Sequence, residues 1–114
     1  MAISTRLVDW VHGRPAADVP VELAQQTHAG WSRLSGGHTG PDGWARDWPD
    51  LPDPLDRGLY RLIIDANSYF ARVGVAAAFP EIVTTFTVGG PDESRTITII
   101  MAPYGFVAFG GETI

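Results

Sequence analysis

The fold of this chain is decided by its C-terminal stretch, Met101-Ala102-Pro103-Tyr104-Gly105-Phe106-Val107-Ala108-Phe109-Gly110-Gly111-Glu112-Thr113-Ile114. The stretch contains an apolar strand end, a Pro/Tyr/Gly turn, a second short strand and an acidic end. Apolar and β-branched residues on both sides of a tight turn are typical of neighbouring strands. The segment therefore predicts the strands that close a β-sheet.

Upstream, the chain carries short segments in which apolar and polar residues alternate, as they do in half-buried strands. These segments are residues 3–9, 19–25, 28–34, 58–64, 81–88 and 95–102. Only residues 65–74 predict a helix, which Asp65 can cap and Gly74 can end. Seven or so short strands with one small helix predict an all-β sandwich, and we expect a single domain over residues 1–114.

A long connection rich in Gly, Pro and Asp follows the third predicted strand, over residues 36–57. Loops of this length in compact domains are usually functional or mobile, so the segment is a candidate lid. Trp44 and Trp48 lie in it. An aromatic residue at such a place either packs onto the body or lines a pocket, and packing is the commoner outcome because a Trp buries a large area.

Composition restricts location and partners. Of 114 residues, 45% are hydrophobic and 18% charged, no apolar run is long enough to cross a bilayer, and no signal peptide is evident. The absence of Cys fits a cytoplasmic location. The net charge of -5 disfavours binding to a phosphate backbone. We expect a compact cytoplasmic protein that binds neither membranes nor nucleic acid.

The common cofactor and metal motifs are missing. His28 and His38 have no third group at a ligand-like spacing, so no metal site is expected. No nucleophile elbow, phosphate loop or dinucleotide fingerprint is present, so no cofactor is expected.

Three segments resemble a known family. Residues 8–23 resemble the opening signature of the transthyretin-like family, whose enzymatic branch is 5-hydroxyisourate hydrolase. Residues 58–60, 65–70, 78–81 and 86–88 are similar to its middle strands and helix, and residues 102–106 to its final turn. The resemblance implies a sandwich of two four-stranded sheets, dimers joined edge to edge, and a homotetramer whose central channel holds two symmetric sites. His12 lies in the turn that belongs to this resemblance, which implies a structural role for it.

The hydrolase residues that the resemblance implies are replaced at four places. A His expected after the Ser-Thr pair of the first strand is Arg6, and an Arg expected after the Asp-Gly of the long loop is Trp44, with Arg46 two residues later. A His-Tyr-His segment is Ser94-Arg95-Thr96, and a terminal Tyr-Arg-Gly-Ser is Phe109-Gly110-Gly111-Glu112. Imidazole exchanges a proton near neutral pH, whereas guanidinium stays protonated. His-assisted hydrolysis is therefore not expected.

The replacements supply the candidate site. Arg6 is suited to hold a carboxylate, enolate or other oxyanion, and Glu112 is the nearest replacement base. We predict catalytic roles for Arg6, Glu112 and Arg46. We predict that the substrate contacts Trp44, Thr96, Phe109, Gly110 and Tyr104. Tyr104 and Phe106 are expected to be core or interface aromatics, and the alternative is that both border the channel.

Three functions remain open from the sequence. The first is a diverged enzyme that cyclises, isomerises or hydrolyses another small molecule, for example in a biosynthetic pathway of specialised metabolism. The second is a binding or carrier protein, as transthyretin is. The third is a retained hydroxyisourate hydrolase that uses His38 or another displaced group.

Overall fold

A computed structural model of the protein describes residues 3–111. The elements in chain order are β1 Ile3–Asp9, β2 Arg14–Pro15, β3 Pro20–Thr27, β4 Gly30–His38, β5 Trp44–Ala45, β6 Gly58–Asp65, α1 Ala66–Arg72, β7 Glu81–Val88, β8 Arg95–Ala102 and β9 Gly105–Gly111. Within this span no helix is long and apolar enough to cross a membrane.

The strands form two sheets. The four-stranded sheet has the order β4-β3-β6-β7 and is antiparallel throughout. The five-stranded sheet has the order β2-β1-β8-β9, with β5 also paired to β1. β1 and β8 run parallel over seven residue pairs, from Ile3 with Arg95 to Asp9 with Met101. β9 returns antiparallel to β8 after the short turn at Pro103 and Tyr104, as the C-terminal sequence predicts.

The core lies between the two sheets. Strand residues alternate between the two faces of a sheet, so every second residue of the central strands points into the core. β1 shows this alternation, since Ile3, Thr5 and Leu7 are fully buried while Arg6 is exposed. The fully buried large side chains come from both sheets and from α1, and they include Tyr60, Phe70, Leu23, Leu62, Ile64, Ile99 and Met101.

The predicted helix is confirmed. The Asp65 side chain accepts a hydrogen bond from the Ser68 backbone N–H at 3.0 Å, which caps the first turn. Gly74 has φ +78°, the left-handed conformation that ends many helices. Tyr69 and Phe70 point from the helix into the core.

The predicted boundaries are wrong in the segment between β3 and β6. β4 continues to His38 rather than ending at residue 34, because Gly36, Gly37 and His38 keep pairing with β3. The connection therefore begins after His38 and contains β5, which adds a fifth strand to one sheet where two four-stranded sheets are predicted. A two-residue strand shows no periodicity, so its sequence cannot mark it.

Much of the long connection is packed on the body. Trp48 is 7% exposed and its indole N–H donates to the Ile3 carbonyl at 3.1 Å. Leu55 is also buried, and the Ser35 hydroxyl donates to the Pro49 carbonyl. The packing expected of Trp48 is confirmed, and these contacts tether the segment of the candidate lid that contains Trp48 and Leu55.

A buried carboxylate joins β1 to the helix and the first turn. Asp9 is fully buried, and its Oδ2 accepts from the Tyr69 hydroxyl at 2.6 Å and lies 2.7 Å from His12 Nδ1. Its Oδ1 accepts from the His12 backbone N–H at 3.1 Å. Burial by itself would raise the pKa of Asp9, but the hydrogen bonds from Tyr69 and His12 together lower it. The structural role expected for His12 agrees with these contacts.

The lowered pKa of Asp9 predicts an acid-sensitive contribution to stability. The ionised form is favoured in the folded state, so its contribution is complete above the ordinary value of 3.8 and is lost as the pH falls through the lower folded pKa. We expect Asp9→Asn to reduce the free energy of unfolding at neutral pH by about 1–3 kcal/mol, because buried donors lose a charged acceptor.

Urea unfolding from pH 5 to pH 2 checks this prediction. The stability difference between the wild type and Asp9→Asn should shrink below pH 3.8. Tyr69→Phe, which removes one donor and keeps the ring, should show a smaller difference that also shrinks. A difference that stays constant over the whole range would contradict the assignment.

Candidate functional site

Four side chains form a row across the outer face of the five-stranded sheet. Arg6 of β1 is in register with Trp44 of β5 on one side and with Thr98 of β8 on the other. Thr98 is in turn opposite Phe109 of β9. Residues directly opposite on neighbouring strands share a face of the sheet. The sheet therefore places Arg6 and three of its neighbours on one surface, away from the core.

Two guanidinium groups lie close to the indole of this row. The Cζ atom of Arg6 is 5.9 Å from the Trp44 ring centroid, and that of Arg46 is 4.3 Å away. Asp42 Oδ2 lies 3.6 Å from Nη1 of Arg46, in an exposed ion pair. The Trp44 ring is half-buried and is held by cation–π contacts from both arginines. Such a cluster can bind a flat molecule by stacking and an anionic group by charge.

Of the other predicted site residues, one shares the face of Arg6, and two described residues lie elsewhere. Thr96 is in the next row of the same face, between Ser4 and Gly111. Gly110 points inward, since it is opposite Ile97 and a Cβ built on it would lie 3.8 Å from Ile97 Cδ1. Tyr104 is in the β8–β9 turn and is 78% exposed, which is not the position of a core aromatic. Glu112 lies outside the described residues.

An apolar groove continues the site along the same face. It has a volume of 260 Å³ and is lined by Trp10, Ile100, Ala102, Gly105, Phe106, Val107 and Phe109. Phe109 belongs both to this groove and to the row of Arg6. Sequence reasoning missed Thr98 and Ile100, although the alternation of β8 already places them on the polar face. The placement of Thr98 beside Arg6 depends on the parallel register of β8 with β1, which no local sequence pattern encodes.

The row contains no titrating group suited to proton transfer near neutral pH. Its members are a guanidinium, an indole, a hydroxyl and a phenyl ring, and the nearby Asp42 is engaged with Arg46. Within residues 3–111, no three His, Asp or Glu side chains come together to hold a metal ion. The face can therefore bind and orient an anion, while a proton acceptor has to come from elsewhere.

A tight turn before β5 sets the position of Trp44. Gly43 has φ +81°, and a Cβ on it would lie 2.5 Å from the Leu7 carbonyl oxygen and 3.0 Å from Cβ of Pro15. The Gly43 carbonyl accepts from the Leu7 N–H at 2.8 Å. The Trp44 N–H donates to Asp42 Oδ1 at 3.0 Å. Only glycine allows the chain to approach β1 this closely and to place the next residue beside Arg6.

Two sheets packed around one core, one of them with the parallel β1–β8 pair at its centre, form a β-sandwich. The family model described as "HIUase/Transthyretin family" matches residues 3–111. The chain belongs to this family.

Relatives of the chain carry the name of the family's enzyme. The chain is 31% identical to a protein of Salmonella typhimurium named 5-hydroxyisourate hydrolase, over 96% of this chain and 79% of that protein. A probable 5-hydroxyisourate hydrolase of Caenorhabditis elegans is 23% identical over 96% of this chain and 81% of its own length.

Solved transthyretins share the fold. Sea bream transthyretin, in a crystal structure with thyroxine, superposes with a TM-score of 0.89 at 20% identity and covers 99% of this chain and 97% of its own. The predicted transthyretin-like sandwich is confirmed.

Gly43→Ala tests whether the close approach of this turn to β1 requires glycine. We expect it to reduce the free energy of unfolding by about 2 kcal/mol or more, because the new methyl group meets backbone at a left-handed residue. Gly13→Ala is the matched control, since Gly13 has φ +62° and no atom within 4 Å of the built Cβ. The control should cost about 1 kcal/mol. Urea unfolding measures both, and equal costs would contradict the steric argument.

Proposed function

We propose that the chain is an enzyme of the HIUase/transthyretin family that acts on a small planar anion other than 5-hydroxyisourate, at the outer face of its five-stranded sheet. The observation that carries the proposal is that the guanidinium groups of Arg6 and Arg46 both lie close to the Trp44 ring, with Cζ atoms 5.9 and 4.3 Å from its centroid. The relatives named hydrolases support an enzymatic role. The replacement of imidazole by Arg6, implied by the family resemblance, supports a different substrate.

Stacking and charge act together in the proposed complex. A flat ligand lies near the Trp44 ring, where stacking on an aromatic face is favourable. Its anionic group faces Arg6, which is exposed and in register with Thr98, whose hydroxyl can donate to the same oxygen. A guanidinium binds a carboxylate or enolate through two parallel N–H donors. Phe109, at the other end of the row, contributes an apolar wall.

The proposed chemistry relies on Arg6 to stabilise negative charge on oxygen. A fixed cation next to a developing oxyanion lowers the barrier of cyclisation, isomerisation and hydrolysis alike, since each can pass through an enolate or a tetrahedral oxyanion. A proton has to be removed or returned as well. Because the row itself contains no suitable acceptor, we assign this step to Glu112, the predicted base.

A carrier protein is the second candidate. It is favoured by the absence of a proton-transfer group in the described row from Trp44 to Phe109. The superposed sea bream transthyretin binds thyroxine, so the same fold can hold an aromatic ligand. The two candidates share the binding mode and differ only in whether the ligand is converted.

We also propose that the chain assembles as a homotetramer, a dimer of dimers. β7 and β9 are each the outermost strand of their sheet, and an edge strand offers its outer backbone groups for pairing with a second copy. The apolar groove on the outer face supports a second contact, because Trp10, Val107 and Phe109 are more than half exposed in the single chain. Exposed apolar patches of this kind mark interaction surfaces.

Ligand binding tests the site. We expect naphthoate to bind and neutral naphthalenemethanol to bind at least about tenfold more weakly, since the alcohol lacks the charge that Arg6 pairs with. Arg6→Gln and Trp44→Ala should each weaken naphthoate binding about tenfold in calorimetry. Arg61→Gln and Trp31→Ala are matched controls, because Arg61 stacks on Trp31 at 3.9 Å on the other sheet. Equal losses in the control variants would contradict the assignment.

Turnover separates the candidate functions. The decay of 5-hydroxyisourate with the protein should equal that in buffer, and faster decay would restore the retained hydrolase. Mass spectrometry after prolonged incubation with a panel of planar acids should reveal a converted compound. Its conversion should be lost in Arg6→Ala and Glu112→Gln. Ligand-dependent stabilisation without any conversion would establish the carrier instead.

The assembly is tested by mass. Analytical ultracentrifugation of the wild type should give a particle of four chains. Phe109→Asp introduces a charge into the apolar groove and should reduce the particle to a dimer, whereas Ser32→Asp, exposed on β4 at the other edge of the four-stranded sheet, should leave four chains. A wild-type particle of one chain would contradict the proposal.

A further inference from the structure

A second groove lies on the opposite edge of the five-stranded sheet, between β2 and α1. It has a volume of 310 Å³ and is lined by Arg14, Pro15, Ala17, Pro41, Tyr69, Arg72 and Val73. The lining contains two arginines and no carboxylate. In a chain with a net charge of -5, two arginines in one lining concentrate positive charge, and the Asp9 carboxylate that is bonded to Tyr69 is buried behind that lining.

Arg72 is held in place without being neutralised. Its Nη2 donates to the carbonyl oxygens of Ala17 at 3.0 Å and Asp18 at 2.9 Å, and its Cζ lies 5.4 Å from the Tyr69 ring centroid. A guanidinium has five N–H donors, and these two contacts involve only one of its nitrogens. Backbone carbonyls fix the orientation of the group while leaving its full charge, which favours a preorganised anion contact.

Arg14 reaches the same groove from the strand. It is opposite Asp9 in the β1–β2 pairing, so its side chain leaves the sheet on the side of the helix. The Tyr69 hydroxyl donates its proton to Asp9 Oδ2 at 2.6 Å and is thereby free to accept from Arg14. Within residues 3–111, no carboxylate lies within ion-pair distance of Arg14 or Arg72.

We propose that this groove is an oxyanion-binding site, in which Arg14 and Arg72 bind the phosphate or carboxylate group of a small molecule. Pro15 and Pro41 form stiff walls, and Val73 and Ala17 offer room for a short apolar body beside the charged group. The geometry of a guanidinium fits two oxygens of either head group. This site shares no lining residue with the row of Arg6, so it does not depend on the function proposed for that row.

Amide chemical shifts of the full chain locate the site. Titrations with sodium phosphate and with sodium acetate, at a constant ionic strength set by chloride, should give saturable shifts at Arg14, Ala17, Arg72 and Val73. The anion whose chemical-shift changes saturate at the lower concentration, phosphate or acetate, identifies the class of ligand. Arg14→Gln and Arg72→Gln should each raise the dissociation constant about tenfold, since each removes a charge-assisted contact.

A matched control separates a site from general charge attraction. Arg33→Gln removes the same charge from the outer face of the other sheet, where Arg33 pairs with Glu22 at 2.9 Å, and should change the dissociation constant less than about twofold. Arg14→Lys keeps the charge and should recover part of the affinity that Arg14→Gln loses. This comparison tests the site even if Arg72→Gln weakens the fold. Shifts that rise linearly without saturation, that centre on Arg6 and Trp44, or that weaken equally in Arg33→Gln would overturn the proposal.

Discussion

The parallel pairing of β1 with β8 is the constraint on which the rest of the structure depends. It joins the first and the penultimate strands over seven residue pairs. Since the pairing fixes which residues are opposite one another, it places Thr98 beside Arg6 and buries Ile97 and Ile99 beside Thr5 and Leu7. A shift of one residue would exchange the two faces and bring Arg6 into the core. The burial of an unpaired guanidinium would be costly enough to exclude that register.

The other edge of β1 is divided between two short strands, and this division creates both candidate sites. β5 pairs with Thr5 and Arg6, and β2 pairs with Val8 and Asp9. β2 brings Arg14 to this edge and β5 brings Trp44. A single longer strand would instead form continuous hydrogen bonds along the whole of β1. Between β2 and β5, Leu7 bonds to Gly43 and Ala16 rather than to a strand. The turn fits against Leu7 because Gly43 has no side chain.

The sequence predicts the long elements well and the site only in part. Strands β1, β6, β7 and β8 follow from their alternation, and the helix follows from Asp65 and Gly74. β2 and β5 could not be found, since two residues have no period and pair only because β1 offers an open edge. For the same reason the register that places Thr98 beside Arg6, and turns Gly110 inward, depends on contacts between distant segments. Arg6 and Trp44 were found through family resemblance, which carries such long-range information.

The turn between Gly40 and Trp44 is a common wall of the two candidate sites. Pro41 lines the groove of Arg14 and Arg72, while Trp44 contacts Arg6 and Arg46 in the other site. Two hydrogen bonds close the turn, since the Gly40 N–H donates to the Trp44 carbonyl at 2.8 Å and the Gly43 N–H to the Gly40 carbonyl at 2.9 Å. A third joins it to β1, because the Leu7 N–H donates to the Gly43 carbonyl at 2.8 Å. One hydrogen-bonded turn therefore sets the position of Pro41 in one site and the start of β5 at Trp44 in the other.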